Sequence, residues 1–131
     1  MKKTGYLPII KKNIKYDIQE YSKDKNMLDI LYKAIECTTI ERIHINDDYD
    51  LIIDEEGLFK PDNTTGIQIL SFPDKRWREN VFVGNLAIVK KAKDKDGDIS
   101  WTLFDNKNEA NNLLSTYFER LRKVDLENYA F

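Results

Sequence analysis

The sequence holds one cysteine, Cys37, and one histidine, His44, among 131 residues. A single thiol excludes an intramolecular disulfide, and a zinc centre built from Cys and His needs more ligands than these two. Glycine is also scarce. The five glycines stand at positions 5, 57, 66, 84 and 97, so neither a dinucleotide-binding Gly-x-Gly-x-x-Gly fingerprint nor a P-loop can be written. Nicotinamide-dependent dehydrogenases and P-loop NTPases are excluded with them, and no cofactor is expected. No apolar run approaches the roughly 20 residues that a membrane-spanning helix needs. The basic start, Met1-Lys2-Lys3, leads into only a few apolar residues before Lys11 and Lys12, which does not fit a signal peptide. The expectation is a cytoplasmic protein without a membrane partner. Charge of one sign is lacking too: a net charge of -2 gives neither the basic field of a nucleic-acid binder nor the dense negative surface of a DNA mimic. A charged partner must therefore meet a local patch.

What is present suits one globular domain over residues 1–131, with 41% hydrophobic and 34% charged residues. Ile14, Tyr16 and Ile18 alternate as a half-buried strand, with Ile9 and Ile10 extending it. From Asp24 as N-cap, Met27, Leu28, Leu31, Ala34 and Ile35 recur at helical spacing to about Glu36. Two strands follow, around Ile43 to Ile45 and Leu51 to Ile53, and Gly57 closes a hairpin turn. Ile67 and Ile69 mark a short strand, and Pro73 to Asn80 reads as a loop. Phe82 to Val89 is apolar on both parities, which predicts a central strand covered on both faces, with a bulge at Gly84. Asp96-Gly97 predicts a tight turn into a strand over Ile99, Trp101 and Leu103. Asn106 and Glu109 cap a last helix whose stripe runs through Ala110, Leu113, Leu114, Tyr117, Phe118 and Leu121. The pattern predicts an α+β fold: a mostly antiparallel sheet with two main helices and a core over about 6–122. The tail, 123–131, is expected to order only if Tyr129 and Phe131 dock.

Three segments bear on context. They are Ile40-Glu41-Arg42-Ile43 at a helix-to-strand junction, the acidic turn Ile53-Asp54-Glu55-Glu56-Gly57-Leu58 with Pro61 and Asn63 after it, and Val83-Gly84-Asn85-Leu86-Ala87-Ile88-Val89. Over roughly residues 14–89 the chain resembles an uncharacterised family of small α/β domains of phages, plasmids and other mobile elements, marked by a Glu-Glu-Gly turn. The resemblance implies an accessory protein in the host-cell cytosol that blunts host defence. Such a protein sequesters a nucleotide-type signal, or binds a host or defence-system protein. It brings no known reaction and no catalytic residue.

The residues supply several candidate surfaces. Lys75-Arg76-Trp77-Arg78 sets guanidinium forks beside an indole, the chemistry that grips phosphates and stacks on bases. Lys90, Lys91 and Lys93 leave the central strand together and extend this positive candidate if the fold allows. The competing reading packs Trp77 into the core and leaves the cations to solvate the loop. A nucleic-acid-binding accessory protein is the alternative these residues suggest. On the strand at Ile43, the parity of Arg42, His44 and Asn46 makes a polar face. That face raises a small His-dependent hydrolase or transferase as a further alternative, although no nucleophile is apparent beside His44.

Asp94 to Ile99 resembles the middle of a calcium loop, but Ala92 and Leu103 occupy two ligand positions, and a hairpin turn explains the same residues. The acidic group Asp47, Asp48, Asp50, Asp54, Glu55 and Glu56 flanks a strand whose ends lie roughly 10 Å apart, which favours a solvated turn over a metal site. Tyr117, Phe118, Tyr129 and Phe131 are candidates for a homodimer seam.

Overall fold

The computed structural model describes residues 3–128. Its α+β architecture follows the pattern expected from the sequence, and every strand pairing among the described residues is antiparallel. The main sheet runs in the order β2-β1-β7-β4-β3, with β8 added to β7. Its strands are β1 (Thr4–Ile10), β2 (Tyr16–Ser22), β3 (Ile40–His44), β4 (Tyr49–Asp54), β7 (Leu86–Lys93) and β8 (Ile99–Thr102). A second sheet, β6-β5-β9, joins Phe82–Val83, Thr65–Ile69 and Leu121–Asp125.

Strand alternation divides the core in two. Leu7, Ile9, Ile52, Ala87 and Val89 face α1 (Met27–Ile35), which buries Ile30, Leu31, Ala34 and Ile35 against them. Tyr6, Ile10, Leu51, Leu86 and Ile88 face the other way. There they meet the second sheet and α3 (Lys107–Tyr117) through Ile67, Phe72, Leu113 and Phe118. β7 is covered on both sides, which is why its first four residues are all buried.

Helix starts obey cap chemistry. Asn106 Oδ1 accepts from Glu109 N at 2.8 Å, as the sequence led us to expect. The α1 cap is Asn26 rather than Asp24: its Oδ1 accepts from Leu28 N at 2.9 Å and Asp29 N at 3.2 Å. α1 ends on Glu36 in the left-handed conformation at φ 62.

Several expected elements are revised. The strand placed at Ile14 with Ile9 and Ile10 is a hairpin of two strands, turning at residues 11–15 with Ile14 at φ 63. Gly57 opens a 3-10 turn (Gly57–Phe59), and the chain after β4 passes to β5 of the second sheet instead of folding back to pair with β4. The requirement for glycine there is steric, since a Cβ would lie 2.3 Å from the Val83 carbonyl oxygen. Pro73 to Asn80 contains one helical turn, α2 (Lys75–Arg78), capped by Asp74. Phe82 to Val89 is two strands in two sheets, because Gly84 at φ 99 breaks the chain direction between them. The last helix stops at Tyr117, and Leu121 and Val124 belong to β9, paired with β5 from Thr65↔Asp125 to Ile69↔Leu121. Tyr129 and Phe131, two of the proposed dimer-seam aromatics, lie outside the described residues. Phe118 is fully buried in the core. Among the described residues, no helix is long and apolar enough to cross a membrane.

Candidate functional site

The face of the main sheet that carries α1 is apolar where the helix covers it and turns mostly charged beyond it. Beyond Val89 the same parity continues as Lys91 and Lys93 on β7. The register sets Asp50 of β4 between Val89 and His44, and pairs Lys91 with Trp101 and Lys93 with Ile99. Arg42 and His44 complete this face on β3, the sheet's edge. The result is a concavity of about 580 Å³ lined by Arg42, His44, Asp47, Asp48, Lys91, Lys93 and Ile99.

Its floor is a buried charge network. The Asp50 side chain is 0% exposed and that of Lys91 is 7% exposed. Trp101 Nε1 donates to Asp50 Oδ2 at 2.9 Å, and Arg42 Nη1 lies 3.8 Å from the same oxygen. Lys91 Nζ stands 3.1 Å from Asp50 Oδ1, yet that oxygen accepts no hydrogen bond. The two facts describe a Coulombic contact at a poor hydrogen-bond angle, and at this separation in a buried setting the charge attraction dominates. The ammonium instead directs its N–H bonds to the Asn46 carbonyl at 2.9 Å and to His44 Nδ1 at 2.7 Å. An ammonium only donates, so His44 Nδ1 accepts and the imidazole proton sits on Nε2. His44 therefore offers the concavity a donor, and its Nδ1 lone pair is occupied.

The sequence candidates are thereby redistributed. Lys91 and Lys93 join Arg42 and His44, from the other candidate face. Lys90, of opposite parity, points to the α3 side, where Nζ lies 2.7 Å from Glu109 and 3.9 Å from Asp105. Burial opposes its charge, but these carboxylates overcome it and raise its pKa. Lys75, Arg76 and Arg78 are exposed on α2, beside β5, and Trp77 is half-buried against the core cluster that includes Phe72 and Phe82. Arg76 is paired with Asp74 at 2.9 Å; this hydrogen bond lowers the carboxyl pKa and raises that of the guanidinium. Asn46 leaves the polar face because β3 ends at His44. Its Oδ1 caps a turn by accepting from Asp48 N and Tyr49 N, and its Nδ2 donates to the Tyr117 hydroxyl.

Asp50 was grouped in the sequence with the solvated acidic turn, but it is buried, as is Asp54. The missed signal was parity: Asp50 shares a face with Ile52 and sits opposite the strand that carries Arg42 and His44. The acidic side chains do not converge, and among the described residues no group of three or more metal-ligating side chains forms. In the loop after β7, Asp94 Oδ1 accepts from Asp96 N and Asp98 N, and Gly97 adopts φ 83, so the calcium-like segment folds as a hairpin loop. Cys37 is buried behind α1, where desolvation and then the charge of Asp54 push its thiol pKa up. It is not beside His44. No protein-family model, curated protein or solved structure matches the chain.

Proposed function

We propose that the chain is a non-enzymatic binding protein that holds a nucleotide-type small molecule in the concavity over Asp50 and Lys91. The carrying observation is the convergence of Arg42, His44 and Lys93 on one opening above a fixed, buried floor. Arg42 and Lys93 supply cations for a phosphate, and the His44 Nε2 proton supplies a neutral donor. Asp47 and Asp48 at the rim accept from hydroxyl or amino groups, and Ile99, 52% exposed, offers an apolar patch for a base. A volume of about 580 Å³ matches a ligand of nucleotide size.

Three cations in and under the concavity, Arg42, Lys91 and Lys93, are balanced by Asp47, Asp48 and Asp50. That balance favours a small ligand over a nucleic-acid backbone, whose binding depends on a surplus of cations. The occupied Nδ1 of His44 and the distance of Cys37 in the fold support binding without turnover. The resemblance to domains of mobile elements supports a phage or mobile-element accessory protein that sequesters such a molecule from a defence system.

Calorimetric titration with ADP and with a cyclic dinucleotide tests this reading. Wild-type protein binds at least one of them and returns it unchanged. Arg42→Ala and Lys93→Ala each weaken binding by about tenfold, the typical worth of one charge-assisted contact. Absence of binding by the wild type, variants that bind as tightly as the wild type, or hydrolysis of the ligand refutes the proposal.

A further inference from the structure

A second concavity lies at the other end of the sheet, where β1 ends, β7 begins and α1 stops. One hollow of about 310 Å³ is lined by residues that include Lys11, Lys12, Lys33, Glu36 and Asn85. A neighbouring hollow of about 260 Å³ shares Lys12, Glu36 and Asn85 and reaches Asp54 and Lys60.

Four observations meet there. The first is a built floor: Asn85 is 8% exposed, its Oδ1 accepting from Lys12 N at 2.9 Å and its Nδ2 donating to Glu36 Oε2 at 3.0 Å. One Nδ2 hydrogen remains for a ligand. The second is charge. Among the described residues no carboxylate pairs with Lys12 or Lys33, and Lys11 has only Asp17 at 3.8 Å. Lys60, by contrast, is committed to Asp54 and to the Glu36 carbonyl. Three ammonium groups against Glu36 and the Asp17 partner of Lys11 leave the first hollow with a net positive charge that suits an anion.

The third is backbone conformation. Among the described residues, the two non-glycine residues with positive φ, Ile14 at 63 and Glu36 at 62, both flank this place, and Gly84 at 99 adjoins Asn85. A β-branched residue rarely adopts that region, and such conformations gather where the surroundings hold a site in shape. The fourth is sequence: Gly84-Asn85 and the acidic turn from Asp54 fall together here, although the concavity over Asp50 uses neither.

We propose that this groove is a separate binding site for a small phosphorylated molecule, its phosphoryl group held between Lys11, Lys12 and Lys33 over Asn85. It is independent of the site over Asp50, and either assignment can fail without the other.

The test is an amide-resolved NMR titration of the full chain with inorganic phosphate, and separately with acetate, at constant ionic strength. Phosphate produces saturable shifts at Lys12, Lys33 and Asn85, and acetate needs at least about tenfold higher concentration for the same shifts. Lys12→Ala/Lys33→Ala, which alters exposed side chains only, weakens phosphate about tenfold or more with an unchanged melting temperature, and Arg42→Ala leaves it unaltered. Non-saturable shifts, equal response to acetate, an unaffected double variant, or shifts confined to Arg42 and His44 each overturn the proposal.

Discussion

Replacing Lys91 by methionine keeps the apolar stem and removes the ammonium from beside a carboxylate that water does not reach. Asp50 then retains Trp101 Nε1 at 2.9 Å and the Arg42 guanidinium at 3.8 Å. Removing one member of a buried ion pair costs about 3–5 kcal/mol, because the other is left as an uncompensated charge. The Arg42 side chain, 54% exposed, can move closer and take up part of the charge, which places the expected loss at the lower end, about 3 kcal/mol. Asp50→Asn keeps an acceptor for Trp101 but leaves Lys91 with only His44 and Asn46, at about 2–3 kcal/mol. The double variant removes both charges, so its loss falls short of the sum by about 2 kcal/mol. Urea denaturation followed by far-UV circular dichroism reads all three, with Trp101 fluorescence as a local probe. Thermal scans of Lys91→Met should fall by about 10 °C at this chain length. Single-variant losses below about 1 kcal/mol, or strict additivity, would show that water reaches the pair and refute the fixed floor on which the proposed site rests.

Two further outcomes are expected. Desolvation raises the pKa of Cys37 above 9.0 and those of Tyr16, Tyr21 and Tyr49 above 10.0. The folded state thus keeps protons that the unfolded chain has lost, and stability falls as pH rises from the thiol range through the phenol range. Lys60 acts in the same sense: its raised pKa gives stability that is present below 10.5 and lost as pH climbs through the folded value. Urea midpoints at about pH 8, 9.5 and 11 should decrease in order, and a flat series contradicts the assignment. Glycine substitutions separate space from conformation. Gly57→Ala drives a Cβ to 2.3 Å from Val83 O and should cost about 2–3 kcal/mol. Gly97→Ala meets nothing within 4 Å and costs only its left-handed backbone, about 1 kcal/mol. Equal melting temperatures for the two variants would contradict this.

The α+β class was legible because α3 and β7 carry complete local signals: a cap with an apolar stripe in one, apolar residues on both parities in the other. β1 was obscured by Pro8, which argues against an inner strand. The register explains its tolerance. Tyr6 N and O bond to Phe104 across the strand, and pairing with β7 resumes only at Ile9 and Ile10. By parity, the missing N–H of Pro8 faces the gap between them. The turn after β1 carried no signal, since its positive-φ residue is Ile14 and not Gly or Asn. The candidate site was half legible. Strand parity grouped Arg42 with His44, and composition flagged Lys91 and Lys93, but their union depends on β3, β4 and β7 being adjacent. No local window contains that fact. Parity with Ile52 places Asp50 on an inner face, but the partners that satisfy its buried charge, Lys91 and Trp101, come from distant segments.

The place of β7 in the main sheet also governs how a nascent chain can assemble. β1–β2 and β3–β4 are local hairpins that can close as soon as they emerge, yet in the sheet order it is β7, beginning at Leu86, that joins β1 to β4. Until that strand is synthesised, the open sides of β1 and β4 stand as unpaired edges beside apolar faces, the features that invite association with other chains. The proline at the open side of β1 and the charged residues around β4 thus guard the seam during synthesis as well as shaping it afterwards.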